Sequence, residues 1–513
     1  MNNFIITSIL LLYIAAASAQ PNIQWQKCLG GSNFDIASSV QQTSDGGYIV
    51  AGLTQSNNGD VSGNHGSVDL WVTKLNSNGE IQWQRALGGS NVDVGGKIIQ
   101  TNDGGYILVG FVLSNNGDIS GNHGEADFWV VKLNSSGAIQ WQKTLGGSKG
   151  DEPQAIQQTL DGGFIVVGYT NSNDGDVSGN HGQYDFWVVK LSNVGAIEWQ
   201  KTLGGTGSDE AYSVQQTTDG GYIVAGKTFS NDGDVSGNHG DIDYWVVKLN
   251  SIGAIEWQKA FGGSGADDGG LVCQTMDGGY VVAGGTGSND GQVSGVYGKG
   301  DAWVVKLDQE GELQWQKTLG GTDQDGASSI FQTSNGSYVL SILTESMDGD
   351  VVGNDGGADV WVVKLSAIGD ILWQKTYGGS QAEVPGDLNP TSDGGFVFCG
   401  YTSSNDGDVA GNHGTLDFWI VKLSPESSHT STPASLPLEI YPNPATHTIS
   451  IKTPNEEHEI KIKISDLLGQ ELRQQTFLNG GDLDITAFRN GLYLLTATTP
   501  TGKVYSGKIT KQE

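Results

Sequence analysis

Between residues 20 and 424, apolar side chains fall in short runs of strand length, parted by Gly, Asn and Asp. In the first full unit the runs are ASSVQQT (37–43), YIVAGLT (48–54), DLWVTKL (69–75) and IQWQRAL (81–87). Val, Ile, Tyr, Trp and Thr dominate them, as pleated strands require. Asp45-Gly46-Gly47 and Ser77-Asn78-Gly79 supply hairpin turn chemistry between runs. No stretch shows a helical period, so the pattern predicts four strands per unit and no helices.

The unit recurs. Trp25, Trp83, Trp141, Trp199, Trp257, Trp315 and Trp373 are spaced by 58 residues, and so are Trp71, Trp129, Trp187, Trp245, Trp303, Trp361 and Trp419. These two series account for all 14 Trp. Tryptophan can stack on sugars, but recurrence at fixed strand positions points to packing between units. Seven units of four strands predict an all-β chain, a seven-bladed β-propeller. Its phase suggests closure: the N-terminal run IQWQKCL (23–29) has the pattern of a fourth strand, and the last unit stops after its third, DFWIVKL (417–423). Pairing these ends would remove two free edges. The DGGYIVAG, DFWVVKL and Gly-x-Ile-Gln-Trp elements resemble bacterial propeller repeats of the delta-60 type, a resemblance that implies a fold and little about chemistry.

Phe4 to Ala17 is apolar and is followed by Ala17-Ser18-Ala19, the pattern of a secretory signal peptide (1–19) cleaved before Gln20. It is too short for a membrane anchor, and no transmembrane segment is expected in the mature form. The propeller would occupy 20–424 and a Ser/Thr/Pro-rich linker 425–437. The net charge of −31 disfavours nucleic acid and anionic membranes as partners. Cys28, Cys273 and Cys399 are odd in number and sit at unrelated repeat positions, which suits small buried side chains and not a disulfide framework.

Candidate chemistry lies in a 12-residue loop between the second and third strands. In the third unit Asp174, Asp176 and Ser178 stand at positions 1, 3 and 5, Gly179 at 6 and Asp185 at 12. That is the spacing of an EF-hand calcium loop with Asp for Glu at its end, and hard oxygens suit Ca²⁺. Asn58, Asp60, Ser62 and Asp69 keep the pattern, as do Asn116, Asp118, Ser120 and Asp127, and Asp232, Asp234, Ser236 and Asp243. Asp348, Asp350 and Asp359, like Asp406, Asp408 and Asp417, lack the Ser, and the fifth copy has Gln292 and Val296 for an Asp and an Asn. The same residues also suit a polar loop folded by Asx turns, and both readings stand. Structural Ca²⁺ is therefore a possible cofactor. The loops from fourth to first strands, with Asp35, Asp93, Asp151, Asp209, Asp267, Asp325 and Glu383, should share their face, making one side of the disc acidic. His65, His123, His181, His239 and His413 lie there too, on different units, which argues against one convergent zinc site.

Tests for an enzyme are negative. TSDGGY (43–48) resembles a sialidase Asp-box but lacks the following Thr-Trp, and Arg85 is the lone arginine before residue 473. There is no HExxH. Paired carboxylates could still hydrolyse glycosides, yet every loop acid has copies in sister units, so none stands out as a unique acid or base.

After the linker a different domain (438–513) begins, with the apolar alternation of a small antiparallel β-sandwich. Its Tyr441-Pro442-Asn443-Pro444, then SDLLGQ around Gly469, Gly491-Leu492-Tyr493, and Lys503 and Lys508 in terminal Gly-Lys steps are similar to the type IX secretion sorting domain. The resemblance implies export, partnership with the type IX machinery, removal of this domain, and release or attachment at the cell surface. The expectation is a monomeric, secreted or surface-attached binding scaffold that takes a glycan or protein on its acidic face. The alternative is a secreted glycoside hydrolase or lyase.

Overall fold

A computed structural model describes residues 20–354, 356–426, 436–452, 460–465, 471–477, 481–498 and 504–512. The expected signal peptide and most of the linker lie outside these residues. The chain divides into two compact units, Ala19–Ser427 and a C-terminal unit from Ser428. All regular structure among the described residues is β, and no helix there is long and apolar enough to cross a membrane.

The larger unit is a series of four-stranded antiparallel sheets. Sheet 1 joins Asp35–Gln42, Tyr48–Thr54, Asp69–Leu75 and Ile81–Leu87 in that order. Sheets 2 to 6 repeat it every 58 residues. In the seventh, Glu383–Pro390, Phe396–Thr402 and Asp417–Leu423 are completed by the N-terminal strand Ile23–Leu29. That strand pairs antiparallel with Asp417–Leu423, Trp25 opposite Lys422 and Cys28 opposite Trp419.

First strands begin earlier than the apolar pattern suggests, at Asp35 rather than Ala37. The reason is that Asp35 N donates to Leu416 O of the seventh sheet at 2.8 Å, so the ladder extends into what sequence presents as loop. Each first strand lies against the first strand of the next sheet, and the seventh against that of sheet 1. Lys97 Nζ of sheet 2 meets Asp387 Oδ2 of sheet 7 at 2.6 Å, and Ser39 Oγ of sheet 1 donates to the same carboxylate at 2.7 Å.

Third strands such as DFWVVKL are buried along their whole length, which explains their continuous apolar character. Their Trp residues fill the space between sheets. Trp187 meets Phe128 of the preceding sheet with centroids 4.5 Å apart, and Trp83 of a fourth strand stands edge-on to Tyr106 of the next sheet at 5.8 Å. Such pairs add about 0.5–1.5 kcal/mol each beyond area burial. Cys28 and Cys399 are buried, Cys273 is partly buried, and all three are free thiols.

The lysine in each third strand needs a partner because its ammonium is buried. Lys74 Nζ reaches Asp45 Oδ2 in the adjoining hairpin turn at 3.0 Å, and sheets 2 to 5 and 7 repeat the pair. Partial burial pushes the Asp45 carboxyl up. Hydrogen bonds from Thr43, Gly47 and Lys74, with the lysine charge, outweigh it and hold the carboxyl at about 2. In sheet 6 the turn carries Asn335, and Lys364 turns to Glu426 instead.

The C-terminal unit packs a five-stranded sheet, with Val504–Lys511, Gly491–Thr498 and Ile460–Ser465 at its centre, on a three-stranded sheet of Glu439–Tyr441, Thr448–Lys452 and Gly481–Asp484. Ile449, Ile451, Ile462, Ile464, Leu495 and Ile509 form its core. One edge pairing, Leu436–Pro437 with Val504–Lys511, is parallel, so this sandwich is mixed at that edge and antiparallel elsewhere.

Two outcomes follow from these ion pairs. Asp387→Ala should cost about 2–4 kcal/mol in urea unfolding because it strands the Lys97 ammonium, while Lys97→Met with Asp387→Leu should lie within about 1 kcal/mol of the parent. The turn aspartates have lowered pKa values, so their stabilisation is complete above pH ~4 and is lost as pH falls towards ~2. Melting temperature against pH should show that acid limb, and Asn at positions 45, 103 and 161, the residue sheet 6 already uses, should flatten it.

Candidate functional site

The 12-residue loops are held by hydrogen bonds to their neighbours. In sheet 3, Asp174 Oδ1 accepts from Ser148 N at 2.7 Å and Asp176 Oδ2 from Gly146 N at 3.4 Å. Ser178 Oγ accepts from Gln200 Nε2 at 2.7 Å, and Asp185 Oδ2 from His181 N at 2.9 Å and Nδ1 at 2.7 Å. Each of these loop oxygens thus accepts from a donor already present in the protein. Asn58, Asn116, Asp232, Asp348 and Asp406 repeat the cap of Asp174 on the neighbouring loop. Asp60, Asp118 and Asp234 repeat that of Asp176, and Ser62, Ser120 and Ser236 each accept from a Gln side chain. His65, His123, His239 and His413 each hold their own loop's last aspartate, Asp69, Asp127, Asp243 and Asp417. Asp350 and Asp359 occupy the same places in sheet 6, as does Asp408 in sheet 7. Among the described residues no group of three or more His, Cys, Asp and Glu is set to hold a metal ion.

The capping contacts bring the loops between second and third strands onto the loops between fourth and first strands, so both acidic sets share one face. On that face the repetition also breaks at the second residue of the first strands. Sheets 1, 2 and 7 carry Ile36, Val94 and Val384 there, opposite Leu53, Phe111 and Tyr401. Sheets 3, 4 and 5 carry Glu152, Glu210 and Asp268, opposite Tyr169, Lys227 and Gly285.

These side chains form two polar groups on neighbouring sheets. Tyr169 OH donates to Glu152 Oε2 at 2.7 Å, and Tyr212 OH to Glu210 Oε2 at 2.7 Å. Lys227 Nζ sits 3.3 Å from both Glu210 Oε2 and Asp268 Oδ2, and 5.4 Å over the Tyr212 ring. Tyr184 stands edge-on to Tyr169 at 5.3 Å. Burial first, then the neighbouring carboxylates, push the phenols of Tyr169, Tyr212 and Tyr184 up, so they remain hydrogen-bond donors. Beside Asp268, where Gly285 replaces a large residue, opens a cleft of about 530 Å³, also lined by Thr286, Lys299, Gln324 and Ser328. A carboxylate, amide, hydroxyl and ammonium lining of this kind can exchange hydrogen bonds with a hydroxyl-rich ligand.

Sequence reasoning passed over this cluster because it weighed the loop acids, all of which have sister copies. A column-by-column comparison of the units would have exposed Glu152, Glu210 and Asp268 against Ile36, Val94 and Val384.

In the C-terminal unit Asn443 pins the last strand, donating to Lys508 O at 2.7 Å and accepting from Thr510 N at 2.9 Å. Tyr441 and Lys508 are exposed, and Pro442 and Pro444 flank Asn443. Tyr493 is buried with its hydroxyl on Arg489 O at 2.7 Å, and Gly491 opens its strand. Gly469 and Lys503 lie outside the described residues. Residues 439–512 match the family model of the secretion system C-terminal sorting domain. This domain marks the chain for export by the type IX machinery, to the cell surface or beyond it.

No curated protein matches the sequence. Among solved structures, the extracellular domain of a candidate hybrid two-component system from B. thetaiotaomicron is 11% identical, over 96% of this chain and 60% of that one, with a TM-score of 0.39. Puromycin hydrolase is 13% identical over 77% of this chain and 54% of its own, TM-score 0.39. A Synechocystis apocarotenoid oxygenase variant is 12% identical over 80% and 95%, TM-score 0.37. The chain spans less than two thirds of the first two.

Deleting residues 439–512 should leave the rest of the chain inside the cell envelope, where fractionation and immunoblotting would find it instead of at the surface or in the medium.

Proposed function

We propose that this is an exported, non-catalytic binding protein: a closed seven-bladed β-propeller, freed of a signal peptide at 1–19, that takes a glycan at the asymmetric mouth of its acidic face. The observation that carries the reading is the departure from repetition at Glu152, Tyr169, Glu210, Tyr212, Lys227 and Asp268. Packing between blades asks the same of every unit, so a cluster confined to three of them answers to something outside the repeat. Tyrosine rings offer flat apolar faces with a donor at the tip, and the carboxylates accept from sugar hydroxyls. Closure into a ring is supported by the pairing of Ile23–Leu29 with Asp417–Leu423 and by the Lys97–Asp387 bridge. The mature chain acts as a monomer, and the sorting domain is removed during export.

A glycan array followed by calorimetry tests the site. A hit weakened about tenfold or more, ~1.4 kcal/mol, by Glu210→Gln or Tyr212→Phe is expected. Binding that both substitutions leave unchanged, or the absence of any glycan ligand, would overturn it. Turnover of the bound sugar, abolished by Glu152→Gln or Glu210→Gln, would replace it by the hydrolase or lyase reading.

A further inference from the structure

Between successive sheets carboxylate is buried against carboxylate. The last loop aspartate of one sheet and the first-strand acid of the next both point at the first glycine of the intervening Gly-Gly step. A Cβ on Gly30 would stand 2.6 Å from Asp417 Oδ1 and 2.7 Å from Asp35 Oδ2, and one on Gly146 2.7 Å from Asp127 Oδ1 and 2.6 Å from Asp151 Oδ2. The same pairing surrounds Gly88, Gly204, Gly262 and Gly320. This explains why each step must be glycine: the space is shared by two oxygens.

The two acids differ in their partners. Asp35 is satisfied by Gly31 N, Ser56 Oγ and Thr54 Oγ1. Asp417 places Oδ2 on His413, but its Oδ1 has no hydrogen-bond partner although the residue is fully buried. Asp69, Asp127, Asp185, Asp243 and Asp301 are buried in the same state, each Oδ1 without a partner. A buried, unpartnered carboxylate oxygen facing a second carboxylate is unstable unless positive charge lies between them.

We propose that these inter-sheet junctions are binding sites for a hard divalent cation, calcium in particular. It would bridge the free Oδ1 of the third-strand aspartate and the first-strand acid of the next sheet. Ca²⁺ accepts oxygens at about 2.3–2.6 Å and tolerates irregular shells, so two carboxylate oxygens in so small a space suit it. On the loop side a third carboxylate, Asp60, Asp118, Asp176 or Asp234, caps the same Gly-Gly step through its first N–H. Since no three acidic side chains among the described residues already ring one point, water completes the shell. The site is an inter-sheet one and takes in Asp35, Asp93, Asp151, Asp209, Asp267 and Asp325, none of which belongs to the 12-residue loop. The junction of sheets 4 and 5 is a built-in comparison: Gln292 Oε1 replaces the third carboxylate on Gly262 N at 3.0 Å, which makes that site the weakest.

The full mature chain, stripped with EDTA and dialysed against about 5 mM CaCl₂, should take up about six ions and melt at least ~5 °C higher. Asp69→Asn should lower the ion count by about one, as should the milder Asp118→Asn, which leaves the buried pair intact, while Asp45→Asn on the opposite face should leave it unchanged. Gln292→Asp should raise it. Uptake of less than about one ion per chain, or a count indifferent to the junction substitutions, would overturn the proposal. So would a chain that binds no Ca²⁺ and instead melts higher as pH falls from about 7 to 5, which would place a shared proton between the carboxylates.

Discussion

A four-stranded sheet whose second and third strands are apolar on both faces must be covered twice, and no single unit of this chain can do that for itself. Every sheet therefore depends on two neighbours, and the neighbours on theirs. A row of such sheets would leave an apolar face open at each end. The pairing of Ile23–Leu29 with Asp417–Leu423 completes sheet 7, and sheet 7 packs on sheet 1. The completing strand comes from the far end of the sequence, so its pairing carries the loop entropy of nearly the whole unit. Trp71 of sheet 1 meets Phe418 of sheet 7 at 4.5 Å, the same kind of aromatic pair found at other junctions.

Much of this was legible in the chain. Runs such as DFWVVKL and YIVAGLT fix strand length and burial because their chemistry suits no other environment. The 58-residue spacing forces equal sheets, and the odd phase at residue 23 foretells the completing strand. What could not be read was where polar side chains end up. Asp185 at position 12 of an EF-hand-like loop looks like a ligand in sequence. In space it opens a strand, turns one oxygen to His181 and leaves the other against a different sheet. One-dimensional spacing places residues along a loop but not across the gap between sheets, which is where the acids meet.

The mouth cluster was hidden for the opposite reason. Repetition draws attention to what recurs, and Glu152, Glu210 and Asp268 do not recur. In a duplicated scaffold the recurring residues answer to the packing that all units share, including the Lys–Asp pairs and the Gly-Gly steps. The residues free to answer to a ligand are those at which sister units disagree. Gly285 belongs with them: where other sheets place Leu53, Phe111, Tyr169 or Lys227, a missing side chain makes the cleft. The sorting unit obeys neither rule. Its Asn443, held between Lys508 O and Thr510 N, shows how part of a secretion signal also ties down a terminal strand.

The junction acids show how these two kinds of constraint meet. A recurring aspartate would ordinarily be assigned to structure alone, and Asp69 does hold His65 in place. Yet structure alone does not account for the second oxygen: an asparagine would keep the acceptor for His65 and would supply a donor to the facing carboxylate, relieving the repulsion without a charge. All seven units keep the acid, and all seven keep the glycine that leaves room beside it. Burying a pair of like charges costs several kcal/mol when nothing lies between them. Asn stands at the hairpin turn of sheet 6, so the chain uses the neutral isostere where an Asp–Lys pair can be given up. Its absence from every junction is the sequence feature that a cation between the sheets explains and that packing does not.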